Sequence, residues 1–541
     1  MWRGRLWTNG RILTLDADSR IVSEMYTRGV QIEAVGDGLR AQVGQADGVE
    51  VVDLGGRTVV PGFVDCHLHF TMTSLGLTDL RLDSVRSIAD MKELVSERVR
   101  SLSSDQFCRG WVWDEGGYPE GRAPTRWDLD EVAHEVPVVL FRAGGNAAVV
   151  NSKALALLDL PEGLPGIERL GSGEPTGLLK GEANFFAQMR VHAALTREER
   201  IAAYEALARF ATSRGLTTIH AVEGSLYRSL RGERSLPNHD VNFLLEAKPR
   251  LPLDVVIWDT QVIHPTDDLR RIKDLGLPRA GGDIFLDGVL GVAWVPGVSR
   301  AAISQPYLDG DRGLGHLLVS DDVLAGFFEE ALQLNLQVSC HAVGDRAIGQ
   351  FLRCYEGAVS RVPVSGLRPR IEHGILPTDE QMARAAELGI VFSMQPAFEW
   401  QSGGAHGRYA QRLGPVRVRH THPVRQLLDA GVVVAGGSDG PANVIDPLLG
   451  VHACVNHESE ENRITPLEAL RVFTAHAAWS VFEEKHKGTL ERGKQADFVV
   501  LAEDPTQPGV AIKDIRIVRT VHRGQDVYLD GQTSNPMRGQ G

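Results

Sequence analysis

Short apolar runs alternate with amphipathic stretches through the middle of the chain. Eight of these runs are rich in Val, Ile, Leu and Phe and have the length of buried strands. They lie at Gly62–Asp65, Thr217–Ala221, Leu253–Trp258, Asp283–Asp287, Gln337–His341, Arg370–His373, Val391–Gln395 and Val432–Ser438. Segments with helical apolar spacing separate several of them, at Asp322–Gln333, Asp379–Leu388 and Pro423–Ala430. Eight strands with helical crossovers predict an α/β fold, a (β/α)8 barrel of the TIM type.

The stretch between the first two predicted strands is too long for a single crossover. We therefore expect an inserted subdomain at about residues 70–210. Within it, apolar periodicity predicts helices at Ser87–Leu102 and Arg197–Ser213 and a strand at Val138–Phe141. The barrel itself is then expected to occupy the rest of residues 61–489.

Both ends of the chain contain short segments in which apolar and polar residues alternate. Arg11–Asp16 and Ile515–His522 are examples, and this period of two is typical of strands. Strands from opposite ends of a chain can pair with each other. We expect residues 1–60 and 490–541 to form one small β-sandwich domain beside the barrel.

Composition narrows the class of protein. The 541 residues include 57 Lys and Arg against 70 Asp and Glu, a formal net charge of −13, which argues against a nucleic-acid-binding surface. No uninterrupted apolar run reaches the ~18 residues of a membrane-spanning helix, and the start MWRGRLWTNGRILTLD lacks the apolar region of a secretory signal. Five scattered cysteines suggest no disulfide framework, so we expect a cytoplasmic protein.

Two histidines at the first predicted strand are the strongest local chemical signal. His67 and His69 in the segment PGFVDCHLH project to the same side of a strand, because side chains alternate with a period of two. Paired imidazoles suit Zn²⁺ or Fe²⁺. His420 and His422 have the same spacing, but they lie in the basic stretch RVRHTH before a proline, so we interpret them as surface residues.

Three further polar residues stand where an apolar strand gives way to glycine. His341 ends QVSCH, His373 ends RIEH, and Asp439 follows VVVAGGS. In a parallel barrel all such positions lie at the carboxyl rim, where active sites are found. Four histidines and one aspartate at this rim are hard to explain by packing alone.

Together these motifs resemble the amidohydrolase superfamily, and within it the amidohydrolase-3 branch that includes N-substituted formamide deformylases. The matching stretches are VVPGFVDCHLHF, NSKAL, HAVGDRAI, RIEHG, GGSDGP and KGTLERGKQADFVVLAEDP. They run from about residue 50 to 505, so the resemblance covers most of the chain.

The resemblance implies a role for each rim residue. His67 and His69 would be metal ligands from the first strand, His341 a ligand from the fifth, and His373 either a ligand or a group that polarises the substrate. Asp439 would contact the metal and act as the general base. A divalent ion lowers the pKa of a bound water toward about 7, and a nearby carboxylate can relay its proton. We expect zinc, with iron or manganese as alternatives.

The fourth strand departs from the family pattern. Many relatives carry there a lysine, carboxylated by CO₂, that bridges two metal ions, and this chain has Asp283. An aspartate is several atoms shorter than a lysine carbamate, which favours one ion over two. Another bridge is the alternative, and Lys180 is the second candidate, although we interpret it as a solvated lysine.

Five residues are candidate substrate contacts. Asn146 stands where relatives often have a histidine, and His220 ends the second strand segment TTIH. Asp283 is a further candidate, and Trp113 and Trp400 are aromatic residues that can line an apolar pocket. Loop packing is the alternative interpretation for the two tryptophans.

We therefore expect an enzyme that hydrolyses a C–N bond of a small molecule, in an amide, N-acyl or N-formyl group, by means of a metal-activated water. A hydrolytic deaminase or a ring-opening hydrolase of a cyclic C=N compound, with a single metal ion, is the first alternative. A barrel that lost its catalysis and serves as a scaffold is the second. The resemblance also implies a homodimer.

Overall fold

The structure is a computed structural model. It describes residues 4–43, 48–142, 147–224, 239–262, 264–290, 300–309 and 313–531 of the chain. The chain divides into two compact units. One comprises Met1–Phe70, Leu207–Gly291 and Arg300–Gly541, and Thr71–Ala206 make up the described part of the other.

A parallel sheet of eight strands forms the centre of the first unit within the described residues. The strands are β1 (Phe63–Leu68), β2 (Leu216–Glu223), β3 (Asp254–Asp259), β4 (Arg279–Phe285), β5 (Gln337–Ala342), β6 (Arg370–His373), β7 (Val391–Met394) and β8 (Val434–Gly436). Each strand pairs in parallel with the next one along the chain. This order is that of the predicted barrel, with a strand at each of the eight predicted places.

Hydrogen bonds beyond β8 close the sheet onto β1. The backbone N–H of Asp439 donates to the carbonyl of His67 at 2.7 Å, and the N–H of His69 donates to the carbonyl of Gly440 at 3.0 Å. The fold is therefore a TIM-type barrel, as the sequence predicts. The closure also places the residue after β8 beside the two histidines of β1.

One strand begins earlier than the sequence predicts. β4 was expected at Asp283–Asp287 but runs from Arg279 to Phe285. Gly281 and Gly282 look like a turn, yet they lie inside the strand with φ of 94° and 102°. A Cβ on Gly281 would come within 2.0 Å of the Ser339 carbonyl on β5, so only glycine fits this close approach.

Helices connect the barrel strands. Three predicted ones are present as Asp321–Gln333, Asp379–Glu387 and Val424–Asp429. The second begins with a capping box in which Thr378 and Gln381 satisfy each other's backbone N–H groups. The other helices of this unit are Leu39–Val43, His239–Ala247, Pro265–Asp274, Asp345–Arg361, Ala397–Ser402, Arg408–Arg417, Pro447–Val455, Pro466–Val472 and Ala475–Trp479. Across the described ranges, none of the helices is both long enough and apolar enough to cross a membrane.

Strands from both chain ends form two further sheets. One contains Gln31–Gly36, Glu24–Arg28, Gly4–Thr8 and Val49–Asp53. The other contains Gln525–Leu529, Ile517–His522, Phe498–Leu501, Thr58–Pro61, Arg11–Leu13 and Ile21–Val22. Trp7 of the first sheet packs edge-on against Phe498 of the second, with ring centroids 4.9 Å apart, in a core that both sheets share. The two ends thus build a small β-sandwich.

The second unit has its own mixed sheet and its own core. Its strands are Ile167–Arg169, Pro175–Lys180, Ala147–Val150, Val138–Arg142, Cys108–Trp113 and Leu80–Arg81. Its helices include Ile88–Val99, Arg126–Asp130, Ser152–Leu158 and Gly181–Ala194. The chain segment of this unit begins in the helix Phe70–Thr78 and ends in the helix Arg197–Ser213. Trp113 is fully buried in this core and donates its Nε1–H to the Leu140 carbonyl at 2.9 Å. This position leaves no ring surface for a substrate and argues against the predicted contact.

Candidate metal centre

Four imidazole rings lie in contact at the carboxyl ends of β1, β5 and β6. The ring centroid of His67 lies 5.3 Å from that of His69 and 5.0 Å from that of His373. The ring centroids of His341 and His373 lie 4.5 Å apart. All four are buried. The structure thus brings together the four histidines that the sequence singles out at the barrel rim.

Asp439 lies against the two histidines of the first strand. Its Oδ1 is 3.1 Å from His69 Nε2 and 3.5 Å from His67 Nε2. Burial opposes ionisation of this carboxyl group, but its contacts with the two imidazoles outweigh burial and hold its pKa well below the ordinary value. Asp439 is therefore a carboxylate at neutral pH.

Asp283 lies among the other histidines. Its Oδ1 is 3.1 Å from His341 Nδ1 and 3.5 Å from His373 Nε2, and its Oδ2 is 3.7 Å from His69 Nε2. Burial opposes ionisation here too, and the contacts with His341 and His373 outweigh it, so the pKa of Asp283 is well below the ordinary value. The residue that the sequence offers as a substrate contact is thus part of the histidine cluster.

The second nitrogen of three rings is held by an acceptor. The pairs are His67 Nδ1 with Glu372 Oε2 at 2.7 Å, His341 Nε2 with the Gly288 carbonyl at 3.2 Å, and His373 Nδ1 with Gln395 Oε1 at 2.7 Å. Gln395 donates its own amide to the Ser393 carbonyl at 3.1 Å, which orients its oxygen toward the ring. A neutral ring that donates on one nitrogen carries a lone pair on the other. Each of these rings therefore directs its other nitrogen at one of the two aspartates.

Such an arrangement fits a bound cation. A lone pair that faces a buried carboxylate is repelled unless a proton or a metal ion lies between them. The Nε2 of His67 is buried and has no hydrogen-bond partner among the described residues. Imidazole nitrogens and carboxylate oxygens are ligands that bind divalent transition metals. Acceptors that hold the other nitrogen of the ring, as Glu372 and Gln395 do here, orient histidine ligands. His67, His69 and Asp439 place one such atom each within 4.8 Å of one another.

Backbone conformation is unusual at two of these residues. His373 has φ of 70° and Asp439 has φ of 61°, in the left-handed region that side chains disfavour. Each such residue costs about 1–3 kcal/mol, and such strain clusters at active sites and ligand clamps. Two strained residues whose side chains meet the same cluster are therefore a second indication of a functional centre.

Glu372 and Arg370 are functional candidates that the sequence analysis missed. Both are fully buried. Arg370 donates from Nε to Glu372 Oε1 and from Nη2 to Glu372 Oε2, both at 2.9 Å, and Oε2 also holds His67 Nδ1. Burial opposes ionisation of Glu372, but Arg370 and His67 lower its pKa to about 2. The signal was present in RIEH, since alternation places both charged residues on one face of a buried strand.

We predict that Glu372→Gln weakens metal binding by about 10- to 100-fold, the usual effect of removing a second-sphere partner of a metal-binding histidine. Glutamine keeps the shape of the side chain but removes the negative charge that faces His67 Nδ1. Competition with a chromogenic chelator measures the metal dissociation constant. Glu329→Gln on a barrel helix is the matched control, and equal dissociation constants for the two variants would contradict a role for Glu372.

Three other candidate substrate contacts lie apart from the histidine cluster or outside the described residues. His220 is buried within β2, where its Nδ1 accepts a hydrogen bond from Arg370 at 3.2 Å. Burial and the charge of Arg370 lower the pKa of His220 well below the ordinary value. It thus packs inside the barrel as a neutral ring, three residues before the strand ends. Trp400 is about half exposed, with its ring 4.7 Å from His452. Asn146 lies outside the described residues.

Lys180 does not have the surroundings of a metal bridge. It ends a strand of the second unit, and its side chain is 55% exposed. Its Nζ forms an ion pair with Glu168 at 3.0 Å. This is the solvated lysine that the sequence favours over the bridging role.

The second His-x-His pair is a correction. His420 is exposed as expected, but His422 is buried and its Nδ1 lies 3.0 Å from Glu399 Oε2. Thr421 between them is also buried and donates to the same carboxylate at 2.7 Å. The interpretation of His422 as a surface residue was therefore wrong, because Glu399 supplies a buried partner that the local basic sequence does not reveal.

Known proteins match nearly the whole chain. A family model described as the amidohydrolase family (Amidohydro_3) matches residues 50–528. A putative amidohydrolase, YtcJ, of Bacillus subtilis is 27% identical over 97% of this chain and 99% of its own length. N-substituted formamide deformylase of Arthrobacter pascens is 27% identical over 97% of this chain and 96% of its own length.

A solved structure has a similar fold over nearly the whole chain. The crystal structure of an uncharacterized metal-dependent hydrolase from Pyrococcus furiosus superposes with a TM-score of 0.77 at 26% identity, over 93% of this chain and all of that one. The family match, the fold and the cluster of metal-binding atoms all indicate a metal-dependent hydrolase. This chain therefore belongs to the amidohydrolase family and is a metal-dependent enzyme that hydrolyses carbon–nitrogen bonds.

Proposed function

We propose that the enzyme hydrolyses an amide, N-acyl or N-formyl group on a small molecule. The observation that carries the proposal is the buried group of His67, His69 and Asp439, in which two imidazole nitrogens and an ionised carboxylate converge. The near full-length similarity to an N-substituted formamide deformylase supports the N-formyl class as the first to test.

Zinc is our first choice of metal, with iron or manganese as alternatives. His67 Nε2, His69 Nε2 and Asp439 would hold it. When bound, a divalent ion supplies Lewis acidity, which makes a water molecule more acidic and polarises a carbonyl group. Glu372 and Arg370 keep the ring of His67 in the orientation that presents Nε2 to the centre.

Asp439 is the proposed general base and acid. Its carboxylate is ionised, so it accepts a proton from the attacking water while a bond forms between the water oxygen and the carbonyl carbon. As the C–N bond breaks, the same carboxyl group returns the proton to the departing nitrogen. Hydrolysis of a formamide then yields formate and an amine, with no further reactant.

The surroundings of His373 favour one of its two sequence-derived roles. Polarising a substrate carbonyl needs an N–H directed at the centre. Gln395 Oε1 accepts a hydrogen bond from His373 Nδ1 at 2.7 Å. Burial, together with the charge of His341, lowers the pKa of His373. A neutral ring that donates to Gln395 has a lone pair at Nε2. We therefore propose that His373 is a ligand.

A substrate panel tests the proposed reaction. We predict that zinc-loaded enzyme releases formate from N-substituted formamides or carboxylate from N-acyl compounds, that a chelator stops the release, and that added Zn²⁺ restores it. Formate dehydrogenase coupling and amine labelling measure the two products. Ammonia release from cyclic C=N compounds alone would instead support the deaminase, and metal-free protein without turnover of any class would support the scaffold.

We also propose that the enzyme works in a reducing compartment, the cytoplasm. All five cysteines are buried and free. Free buried thiols are usual where glutathione and thioredoxin keep cysteine reduced. The homodimer implied by the resemblance stays a prediction.

A further inference from the structure

We propose that Glu399 and His422 are a positioning pair that holds His373 in its strained conformation at the metal centre. This inference rests on the proposed role of His373 as a ligand and adds two residues that lie outside the histidine cluster. His422 belongs to the second His-x-His pair of the sequence, for which the metal centre itself has no use. The contacts of Glu399 and His422 give this pair a place in the structure.

Glu399 is a buried carboxylate with hydrogen-bond donors at both oxygens. It lies on the helix Ala397–Ser402, which follows β7, and only 6% of it is exposed. Its Oε2 is 3.0 Å from His422 Nδ1 and accepts from the Thr421 hydroxyl at 2.7 Å, and its Oε1 accepts from the Gly404 N–H at 3.3 Å. Burial opposes ionisation of Glu399, but the hydrogen bond with His422 lowers its pKa below the ordinary value. Charged acceptors form strong hydrogen bonds, so these donors fix the position of Glu399.

Glu399 stands one helical turn after the residue that holds the ring of His373. That residue is Gln395, whose Oε1 lies 2.7 Å from His373 Nδ1. Two backbone hydrogen bonds of 3.0 Å connect Gln395 with Glu399: the N–H of Phe398 donates to the Gln395 carbonyl, and the N–H of Glu399 donates to the Pro396 carbonyl. A fixed Glu399 therefore also fixes Gln395 relative to the ring.

His422 is attached to the backbone on the other side of His373. The N–H of His422 donates to the carbonyl of Ile375, two residues beyond His373, at 3.0 Å. The contacts form a closed loop that passes through His373, Gln395, Glu399, His422 and Ile375. The bond between Glu399 and His422 thus joins the segment that holds the ring of His373 to the segment that continues its backbone.

The backbone of His373 explains why such a loop is needed. Its φ of 70° lies in the left-handed region, and a residue persists there only when the surrounding structure over-determines its conformation. The closed loop supplies this constraint from the ring and from the backbone at once. Without the bond between Glu399 and His422 the loop is open, and His373 is free to relax out of the position in which its Nε2 lies 3.5 Å from Asp283 Oδ1.

Only one nitrogen of the His422 ring takes part in the pair. Its Nε2 is buried and has no hydrogen-bond partner among the described residues. Asparagine places an amide nitrogen near the position of Nδ1 and tolerates the φ of 49° at this residue, so it can keep the bond to Glu399. Methionine fills the space of the ring but has no donor. The two substitutions therefore separate the hydrogen bond from packing.

Loading with Co²⁺ tests the pair, because the visible absorption of this ion reports the arrangement of its ligands without turnover. We expect His422→Met to raise the Co²⁺ dissociation constant about 10-fold, the lower end of the effect of partners of metal-binding histidines, and to change the absorption bands. His422→Asn should restore both to nearly the wild-type values. His420→Met, at the exposed member of the same His-x-His pair, is the matched control and should equal the wild type. Competition with a chelator measures the dissociation constants.

A double-substitution cycle tests whether the pair acts through Gln395. If it does, His422→Met should weaken Co²⁺ binding much less in a Gln395→Met background than in the wild type. Effects that simply multiply would overturn this route. Equal losses of affinity in folded His422→Met and His422→Asn would overturn the role of the hydrogen bond.

The outcomes separate this inference from the proposed function. Wild-type affinity and absorption in folded His422→Met overturn the positioning pair and leave the hydrolase, whereas wild-type protein that binds no Co²⁺ overturns both. Should His422→Met fail to fold, His422→Gln takes its place, since the longer side chain carries its amide to the position of Nε2. Weaker binding than in His422→Asn then supports the pair, and equal binding contradicts it.

Discussion

Asp439→Asn is expected to lower kcat by about 10³-fold or more, within the range for loss of a general acid–base group that also contacts the metal. Asparagine keeps the shape of the side chain and can still occupy the place beside His67 and His69. It cannot accept a proton at neutral pH, so the water is no longer deprotonated and the departing nitrogen is no longer protonated. Substrate binding should change far less than kcat.

Steady-state kinetics on an N-substituted formamide measure this effect. Asp379→Asn, at an exposed helix start, is the matched control and should leave kcat and the melting temperature unchanged. Metal content and circular dichroism of Asp439→Asn show whether the loss is chemical or structural. A variant that folds, binds metal and turns over at nearly the wild-type rate would refute the assigned base.

His67→Ala is expected to raise the metal dissociation constant by at least about 100-fold, since changes in second-sphere partners alone reach 10- to 100-fold. The substitution removes the Nε2 that lacks a hydrogen-bond partner among the described residues. It also leaves Glu372 Oε2 without the ring that it holds at 2.7 Å. Turnover should fall in proportion to the metal lost.

Elemental analysis after dialysis against a fixed free metal concentration measures that loss. His420→Ala is the matched control, because His420 belongs to the other His-x-His pair and is exposed. Its metal content should equal that of the wild type. Unchanged metal stoichiometry in His67→Ala would mean that the ion binds at other residues.

The barrel is predictable from the sequence because parallel strands buried on both faces are continuous apolar runs. β6 coincides with its predicted bounds, Arg370–His373. β4 does not, because the pair Gly281 and Gly282 indicates a turn locally, whereas contact with β5 requires glycine within the strand. A tertiary contact there overrides the local signal.

The histidine cluster follows from topology alone. The carboxyl ends of parallel strands meet at one rim, so His67, His341 and His373 had to approach one another once the strands were located. Burial of His422 was not predictable, because its partner Glu399 lies more than twenty residues away, on the helix Ala397–Ser402.

The position of Asp283 was not predictable either. The sequence shows only the length of its side chain, whereas the register of β4 shifts against β5 around this residue, where Gly281 pairs with Ser339 and Phe285 pairs with His341. Glu372 shows the opposite case. Its alternation with Arg370 was visible in RIEH, but a buried charged pair acquires a function only when the ring of His67 is placed against it.

Titration of metal-free enzyme with Zn²⁺ is the most direct test of the metal-dependent hydrolase. Bound zinc and hydrolysis of an N-substituted formamide or N-acyl compound are measured on the same samples. We predict no turnover without metal, and turnover that rises with bound zinc until the centre is full. Full turnover by metal-free protein, or a protein that binds no divalent ion, would contradict the proposed function.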